Sequence, residues 1–204
     1  LCVRNASWQS VVTRVPPKVY GGDARGGDLY AVPSNFETRN IVGSMRGREV
    51  LRARLRELHN SFDYCVFDTQ PNPTQLHDAI NLATDFIVVP TDCEAFSAWQ
   101  GLPDSLEHIE TLRSEVERAG LDVARLLAII PNKFRAKTAL HQSFLKALLE
   151  QYGSLVWEPI PQRTALSESQ AMQEFLYTAA PQMDVTKLMW RYVDRVIKSV
   201  GVTA

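Results

Sequence analysis

Residues 62–102 read FDYCVFDTQPNPTQLHDAINLATDFIVVPTDCEAFSAWQGL, and the order of apolar and polar segments in this stretch decides the fold. The apolar runs 64–67 and 86–90 have the length of buried strands, and Leu76, Ile80 and Leu82 have the spacing of a short helix between them. Both runs are continuous rather than alternating, which is typical of parallel strands that are covered on both faces. The stretch therefore predicts two strands of a parallel sheet with a helix between them.

The same alternation of strand and helix extends in both directions from this stretch. Further strands are expected at 29–32, 126–130 and 155–157. Further helices are expected near 50–58, at 102–116, at 140–149 and at the end of the chain, the last with Val185, Leu188, Met189, Tyr192, Val193 and Val196 on its buried side. Gly120 and Gly153 are expected to end the two middle helices. We therefore expect an irregular segment at 1–27 and one three-layer αβα domain with a mostly parallel sheet at 28–204.

The composition excludes several classes of protein. With 45% hydrophobic and 22% charged residues among 204, the chain is typical of a globular protein rather than a disordered or low-complexity one. A formal net charge of −1 gives no global signal for nucleic-acid binding, so any such contact needs a local basic patch. No run is long and apolar enough to span a bilayer, and three widely spaced cysteines predict a reduced, cytoplasmic protein.

Candidate ligand-binding residues follow the predicted strands, since ligands of open parallel sheets bind beyond the carboxyl ends of the strands. Asp68 follows the first strand and suits magnesium held through water, although an Asp-Thr pair near a proline is also ordinary turn chemistry. Asn132 follows the strand at 126–130, where its amide could bind the edge of a purine or simply form a turn. In the segment 160–168, Ser167 is expected to cap a following helix.

A basic cluster lies directly after Asn132. Lys133, Arg135 and Lys137 are spaced by two, and the five residues 133–137 contain no acid. Such a cluster could grip a phosphate backbone through release of counterions. A solvated loop is the alternative that the residues alone leave open.

Four segments in order resemble the ParA/Soj/MinD branch of the deviant P-loop ATPases. They are LYAVPSN (29–35), the stretch 62–102 quoted above, LLAIIPNKF (126–134) and IPQRTALSESQ (160–170), the last similar to the signature IP-x-x-x-x-L-SE of that family. The similarity runs from about residue 28 to the end of the chain. It implies a P-loop NTPase-like fold, with ATP and Mg²⁺ as cofactors.

The resemblance also implies roles for single residues. The implied nucleotide-binding residues are Asp68, Thr69, Gln70, Asn132, Pro161 and Arg163. Asp68 would hold Mg²⁺ through water, with Thr69 and Gln70 near the terminal phosphate, although the family usually has proline at the position of Gln70. Asn132 would contact adenine, and Pro161 and Arg163 would flank the base. No catalytic residue is assigned, because the signature lysine of the family is absent.

The family resemblance implies a function in chromosome or plasmid partitioning. An ATP-dependent homodimer would bind non-specific DNA through Lys133, Arg135 and Lys137, perform its task in the cytoplasm at the nucleoid, and be stimulated by a ParB-like protein. The residues 201–204 carry no basic amphipathic tail, which favours a ParA-type protein without membrane contact over a MinD-type protein.

The sequence departs from the family at one motif. The 204 residues contain no Gly-x-x-x-x-Gly-Lys-[Ser/Thr] motif, which binds the phosphates in P-loop proteins. We therefore expect an N-terminally truncated fold that lacks the P-loop strand and helix and is inactive alone. The alternative is a non-catalytic module that pairs with a full-length relative. A synthetase of the dethiobiotin or cobyrinate type is a third possibility, and the segment 160–168 counts against it.

Overall fold

The computed structural model describes two compact units. The described residues are 6–21, 26–33, 49–69, 74–94, 96–118, 120 and 124–201, without the side chains of 96–100. Unit 1 comprises Leu1–Arg14, Tyr30–Ile87 and Gly101–Leu126, and unit 2 comprises Val15–Leu29, Val88–Gln100 and Leu127–Ala204. The division at residue 28 that the sequence suggests stays a prediction.

Helices and strands alternate through most of the described chain. The helices are α1 (Trp8–Val11), α2 (Pro17–Tyr20), α3 (Val50–Leu55), α4 (Gln75–Ala83), α5 (Phe96–Arg118), α6 (Ala139–Tyr152), α7 (Thr164–Ala171), α8 (Leu176–Ala179) and α9 (Asp184–Val200). The strands are β1 (Thr13–Arg14), β2 (Tyr30–Ala31), β3 (Phe86–Asp92) and β4 (Arg125–Asn132). The predicted helix ends at Gly120 and Gly153 are confirmed, because both residues have positive φ, 70° and 53°.

Strands β3 and β4 form a parallel pair. The amide of Arg125 donates to the carbonyl of Asp85 at 2.9 Å, and the amide of Cys93 donates to the carbonyl of Asn132 at 3.0 Å. Moving forward along β3 therefore moves forward along β4, which defines a parallel register. Both strands end at the same edge, as the continuous apolar runs of the sequence predicted.

Unit 1 contains the packing of α3 against α4 and the antiparallel pair of β1 and β2. Its buried apolar side chains are Leu51, Ala79, Leu102, Leu112, Val116 and Ala124. The first turn of α4 is capped by Thr74, whose hydroxyl oxygen accepts from the amide of His77 at 3.2 Å. This cap satisfies one of the donors that the start of a helix leaves without an intrahelical partner.

We expect Thr74→Ala to lower the free energy of unfolding by about 1 kcal/mol, since the amide of His77 loses its acceptor. Urea unfolding followed by circular dichroism measures the change. Thr164→Ala, at an exposed position in the first turn of α7, is the matched control and should change the free energy by less than about 0.5 kcal/mol. Equal losses in both variants would contradict the capping role.

The core of unit 2 lies between β4 and the helices that follow it. Its buried apolar side chains are Ala128, Ile129, Ile130, Phe144, Leu148, Val156, Trp157, Ala165, Val185 and Leu188. Trp157 follows a single parallel bridge between Val156 and Ile129, and its amide donates to the carbonyl of Ile129 at 3.0 Å. The strand predicted at 155–157 is therefore one bridge, preceded by a 3₁₀ turn at Gly153–Leu155.

The predicted strand at 64–67 is wrong. The residues 64–69 have no regular secondary structure, and Val66 is 90% exposed and Tyr64 46% exposed. A strand exists only through backbone bonds to a neighbouring strand, and in the described part of the chain these residues make none. An apolar run forms a strand only where a neighbouring strand pairs with it, and the described residues supply no such neighbour.

Three smaller predictions also differ from the structure. Ser167 lies inside α7 rather than at its start, because the helix begins at Thr164 and Arg163 occupies the capping position. Val193 is 44% exposed, so the buried stripe of α9 is narrower than its apolar spacing indicated. The strand at 29–32 shortens to β2 and pairs antiparallel with β1.

Candidate functional site at the carboxyl edge of the sheet

Three segments of unit 2 meet where β3 and β4 end. We call the residues 92–94, 131–135 and 160–163 the carboxyl edge. The amide of Ile160 donates to Pro131 at 2.8 Å, and Phe134 forms a parallel bridge with Pro161. The amide of Phe134 in turn donates to Ile160 at 2.9 Å. The segment 160–162 therefore runs beside the end of β4, which places two of the regions singled out by the sequence next to each other.

Asn132 ends β4, and the oxygen of its side-chain amide accepts a hydrogen bond while the nitrogen does not donate one to the described residues. Its Oδ1 accepts from the amide of Lys133 at 2.9 Å, and its backbone carbonyl accepts from Cys93. A half-buried NH₂ group with free donors can bind a ring nitrogen of a purine, which is the chemistry expected of this residue.

Lys133 has φ of 53°, in the left-handed region that residues with a Cβ rarely adopt. Its Nζ lies 2.5 Å from Oδ2 of Asp92, and this hydrogen bond and charge raise the pKa of Lys133. Burial alone would raise the pKa of Asp92, but hydrogen bonds from Lys133 and from the amide of Glu94 outweigh it and hold that pKa below its usual value. Both groups are therefore charged at neutral pH.

Arg135 is held by three groups of the same unit. Its Nη2 lies 2.6 Å from Oε1 of Glu94, its Nε donates to Gln162, and its amide donates to Nδ1 of the buried His141 at 3.0 Å. Lys137 is exposed and makes no ion pair with any described residue. Of the three cations predicted to grip DNA, two are therefore paired with carboxylates that the local sequence does not contain.

Arg163 precedes α7 and is bound by a carboxylate from the start of α9. Its Nη2 lies 2.5 Å from Oδ2 of Asp184, and its Nε lies 3.1 Å from Oδ1. The hydrogen bond that Arg163 donates to Asp184 raises the pKa of Arg163, and the same bond lowers the pKa of Asp184. Arg163 follows Pro161 by two residues, and its guanidinium is oriented by the ion pair with Asp184. A ligand would therefore meet a guanidinium that is already paired.

Cys93 follows β3, lies between Asp92 and Glu94 in the chain, and is buried. Burial raises the pKa of its thiol to about 12, with the charges of Asp92 and Glu94 acting in the same direction. The thiol therefore stays protonated and unreactive. Its role here is to fill the space beside Asn132, to which its amide is bonded.

Asp68 and Thr69 belong to unit 1, so they are described apart from the carboxyl edge. Both are exposed in the irregular segment 64–69, and Asp68 has no bonded partner among the described residues. An exposed, unpaired carboxylate suits magnesium that keeps its water shell. Gln70 lies outside the described residues.

Local sequence reasoning missed three residues of the carboxyl edge. Asp92 and Glu94 pair with the basic cluster, and Gln162 bonds to Arg135. The two acids could have been found from one signal, since they follow a predicted parallel strand and such strands end at one edge.

Comparisons with known proteins give concordant results. Residues 28–122 match a family described as an AAA domain. Protein IncC of Escherichia coli is 28% identical over 128 residues, which cover 63% of this chain and 34% of IncC. The maintenance of carboxysome distribution protein A of Gloeothece citriformis is 30% identical over 112 residues, which cover 53% of this chain and 41% of that protein. The chain thus matches well under half the length of these relatives.

A solved structure shares the fold. An ATP complex of Cyanothece McdA has a TM-score of 0.69 and 23% identity, covering 86% of this chain and 67% of that one. This similarity shows a three-layer α/β fold, as the sequence predicted. Within the residues that the structure describes, no helix has the length and apolar character needed to cross a membrane.

Proposed function

We infer that this chain, which belongs to the ParA/MinD-type partitioning ATPases, contributes residues that bind the base of ATP. The observation that carries this proposal is the carboxyl edge, where Asn132 and Pro161 lie on adjacent segments. The free amide donors of Asn132 bind adenine, and Pro161 and Arg163 flank the base. Ligands of open parallel sheets bind at this position.

Magnesium and the phosphates are bound by other residues. Asp68 holds Mg²⁺ through water, and Thr69 and Gln70 lie near the terminal phosphate. Bound Mg²⁺ neutralises charge on the phosphates during transfer. Hydrolysis also needs a Gly-Lys-[Ser/Thr] loop, which these 204 residues do not contain. We therefore propose that ATP turnover requires such a loop in addition to this chain.

The wider task is proposed from the family. ATP holds a homodimer together, the dimer binds non-specific DNA at the nucleoid in the cytoplasm, and a ParB-like protein stimulates hydrolysis and release. The cargo is a plasmid, a chromosome or a protein assembly; the name of the Gloeothece relative refers, for that protein, to carboxysome distribution. DNA contact through Lys133 and Arg135 requires phosphates to displace Asp92 and Glu94, whereas Lys137 is available directly.

A second function is favoured by the exposed segment 64–67. Val66 and Tyr64 offer unpaired, apolar, strand-like backbone, which is suited to pairing with a strand of another chain. A non-catalytic module that pairs with a full-length relative would use this segment.

The test is ATP binding, measured with a fluorescent ATP analogue, to this chain and to the same chain extended upstream through any Gly-Lys-[Ser/Thr] loop in its reading frame. We expect the extended protein to bind and hydrolyse ATP, and Asn132→Ala to weaken its binding about tenfold, by about 1.4 kcal/mol. Asn60→Ala, which replaces an exposed asparagine of unit 1, is the control and should bind ATP as the unsubstituted protein does.

Unchanged binding by Asn132→Ala would refute the base-binding role. A folded chain without any upstream loop, inert toward ATP, would favour the second function.

A further inference from the structure

Two histidines and an aspartate come together on adjacent helices of unit 1. His77 and Asp78 lie in the first turn of α4, and His108 lies on α5. The Nε2 of His108 is 2.8 Å from Oδ1 of Asp78. One nitrogen of each imidazole and one oxygen of the carboxylate all lie within 4.8 Å of one another. All three residues are half-buried.

The polar atoms of this cluster are incompletely paired. The Nδ1 of His77 is shielded from solvent and has no hydrogen-bond partner. A buried nitrogen without a partner is destabilising unless another ligand satisfies it. The rings of His77 and His108 stack with centroids 6.3 Å apart and an interplanar angle of 18°. Two imidazoles in this arrangement repel each other when both are protonated.

The donor atoms of the cluster suit a cation as the missing partner. Two imidazole nitrogens and one carboxylate oxygen lie within 4.8 Å of one another, so the cluster offers two nitrogen ligands and a negative charge.

We propose that His77, Asp78 and His108 bind a divalent transition-metal ion of the zinc class. Imidazole and carboxylate are its common protein ligands, and three of them with one position left for water form a complete tetrahedral set. Bonds of about 2.0–2.2 Å place tetrahedral ligand atoms about 3.3–3.6 Å apart. The three ligand atoms lie within 4.8 Å of one another without an ion, so binding requires them to move closer together.

A hydrogen bond between His108 and Asp78, without a metal ion, explains fewer of the observed contacts than a bound ion does. It explains the 2.8 Å contact, but it leaves Nδ1 of His77 unpaired and gives no reason for the stacked rings. A metal ion replaces that hydrogen bond with two coordinate bonds and brings His77 into the set. The bound ion would link the start of α4 to the middle of α5, and this link would stabilise unit 1.

The site is distinct from the proposed magnesium site. Asp68 offers an exposed carboxylate alone, which suits a hard, hydrated cation, whereas imidazoles select softer ions. Sequence spacing does not indicate the cluster, since His77 and His108 are 31 positions apart and belong to no metal motif.

The test is titration of the untagged full chain, stripped with EDTA, with Co²⁺ as a spectroscopic substitute for Zn²⁺. We expect one equivalent of Co²⁺ to give the visible absorption bands of a tetrahedral nitrogen–oxygen site, and Zn²⁺ to displace it and raise the melting temperature. His77→Ala, His108→Ala and Asp78→Asn should each weaken binding on the order of a hundredfold. His59→Ala, which removes an exposed histidine of unit 1, should bind as the unsubstituted chain does.

The outcomes separate the alternatives. Asp78→Asn is nearly isosteric, so it keeps the helix packing and tests the ligand if an alanine variant fails to fold. Absence of stoichiometric Co²⁺ binding, or binding that survives both Asp78→Asn and His77→Ala, would overturn the proposal. A folded chain with weakened binding only in the three cluster variants would support it. ATP binding is not used, so failure here leaves the proposed function unaffected.

Discussion

Trp157→Ala should destabilise the protein by about 3–5 kcal/mol, the range for removal of a large aromatic from a core. Trp157 is 3% exposed and packs with the buried Ala128 and Ile130. Tyr192 lies 5.7 Å from its ring and the guanidinium of Arg195 lies 4.2 Å above it, so truncation also removes an aromatic contact and a cation–π contact. Since small domains are stable by about 5–15 kcal/mol, this single change removes a large share.

Trp190→Ala is the matched control for this result. Trp190 lies on α9, is 53% exposed and contacts Tyr177. Apart from the loss of that contact, its substitution should lower the free energy of unfolding by less than about 1 kcal/mol. Urea unfolding of the two variants, followed by circular dichroism so that loss of a tryptophan does not change the signal, gives both free energies. Equal losses would show that the core of unit 2 is not centred on Trp157.

The sequence predicted the elements that carry their own pattern. α5, α6 and α9 each have an apolar stripe over several turns, and β3 and β4 contain the apolar runs 86–90 and 126–130. These features depend only on residues within the element, so local periodicity is sufficient to predict them. Burial along α9 was predicted less well, because which apolar residues face the core depends on where its neighbours lie.

The segment 64–67 shows where local pattern is insufficient. It has the composition of a buried strand, yet Val66 is almost wholly exposed and the segment makes no ladder among the described residues. Strand formation is a property of two segments, and the second need not be recognisable from the first. The apolar run correctly indicates the need for a partner, and only the structure shows that the described residues do not supply one.

The sequence singled out two segments that the structure places side by side, but it did not predict the acids that pair with the basic cluster. Asn132 and Pro161 were both expected near one ligand, and the parallel bridge at Phe134 places their segments side by side. The residues 133–137 contain no acid, so the sequence near the basic cluster gives no sign of its partners. Asp92 lies 41 positions before Lys133, and only the parallel pairing of β3 with β4 brings the two together.

The double variant Asp92→Asn, Glu94→Gln is expected to bind duplex DNA on the order of tenfold more tightly than the unsubstituted chain at about 50 mM salt. The substitutions leave Lys133 and Arg135 without their carboxylates, so both cations become available to phosphates. Two additional phosphate contacts should steepen the slope of log affinity against log salt by about 2. Stability should change by less than about 1 kcal/mol per pair, since the lost ion pairs lie at the surface.

Fluorescence anisotropy of a labelled duplex, measured from about 50 to about 200 mM salt, gives the affinity and the slope. The matched control is Glu110→Gln, Glu117→Gln on α5, which also frees a paired cation, Arg113, and changes the net charge equally, from −1 to +1. If the control gains as much affinity, the effect is one of net charge and the basic cluster is not a DNA contact. If only the double variant at β3 gains affinity and salt dependence, Asp92 and Glu94 compete with phosphate for Lys133 and Arg135. The acids at the end of β3 then set how strongly this chain holds DNA.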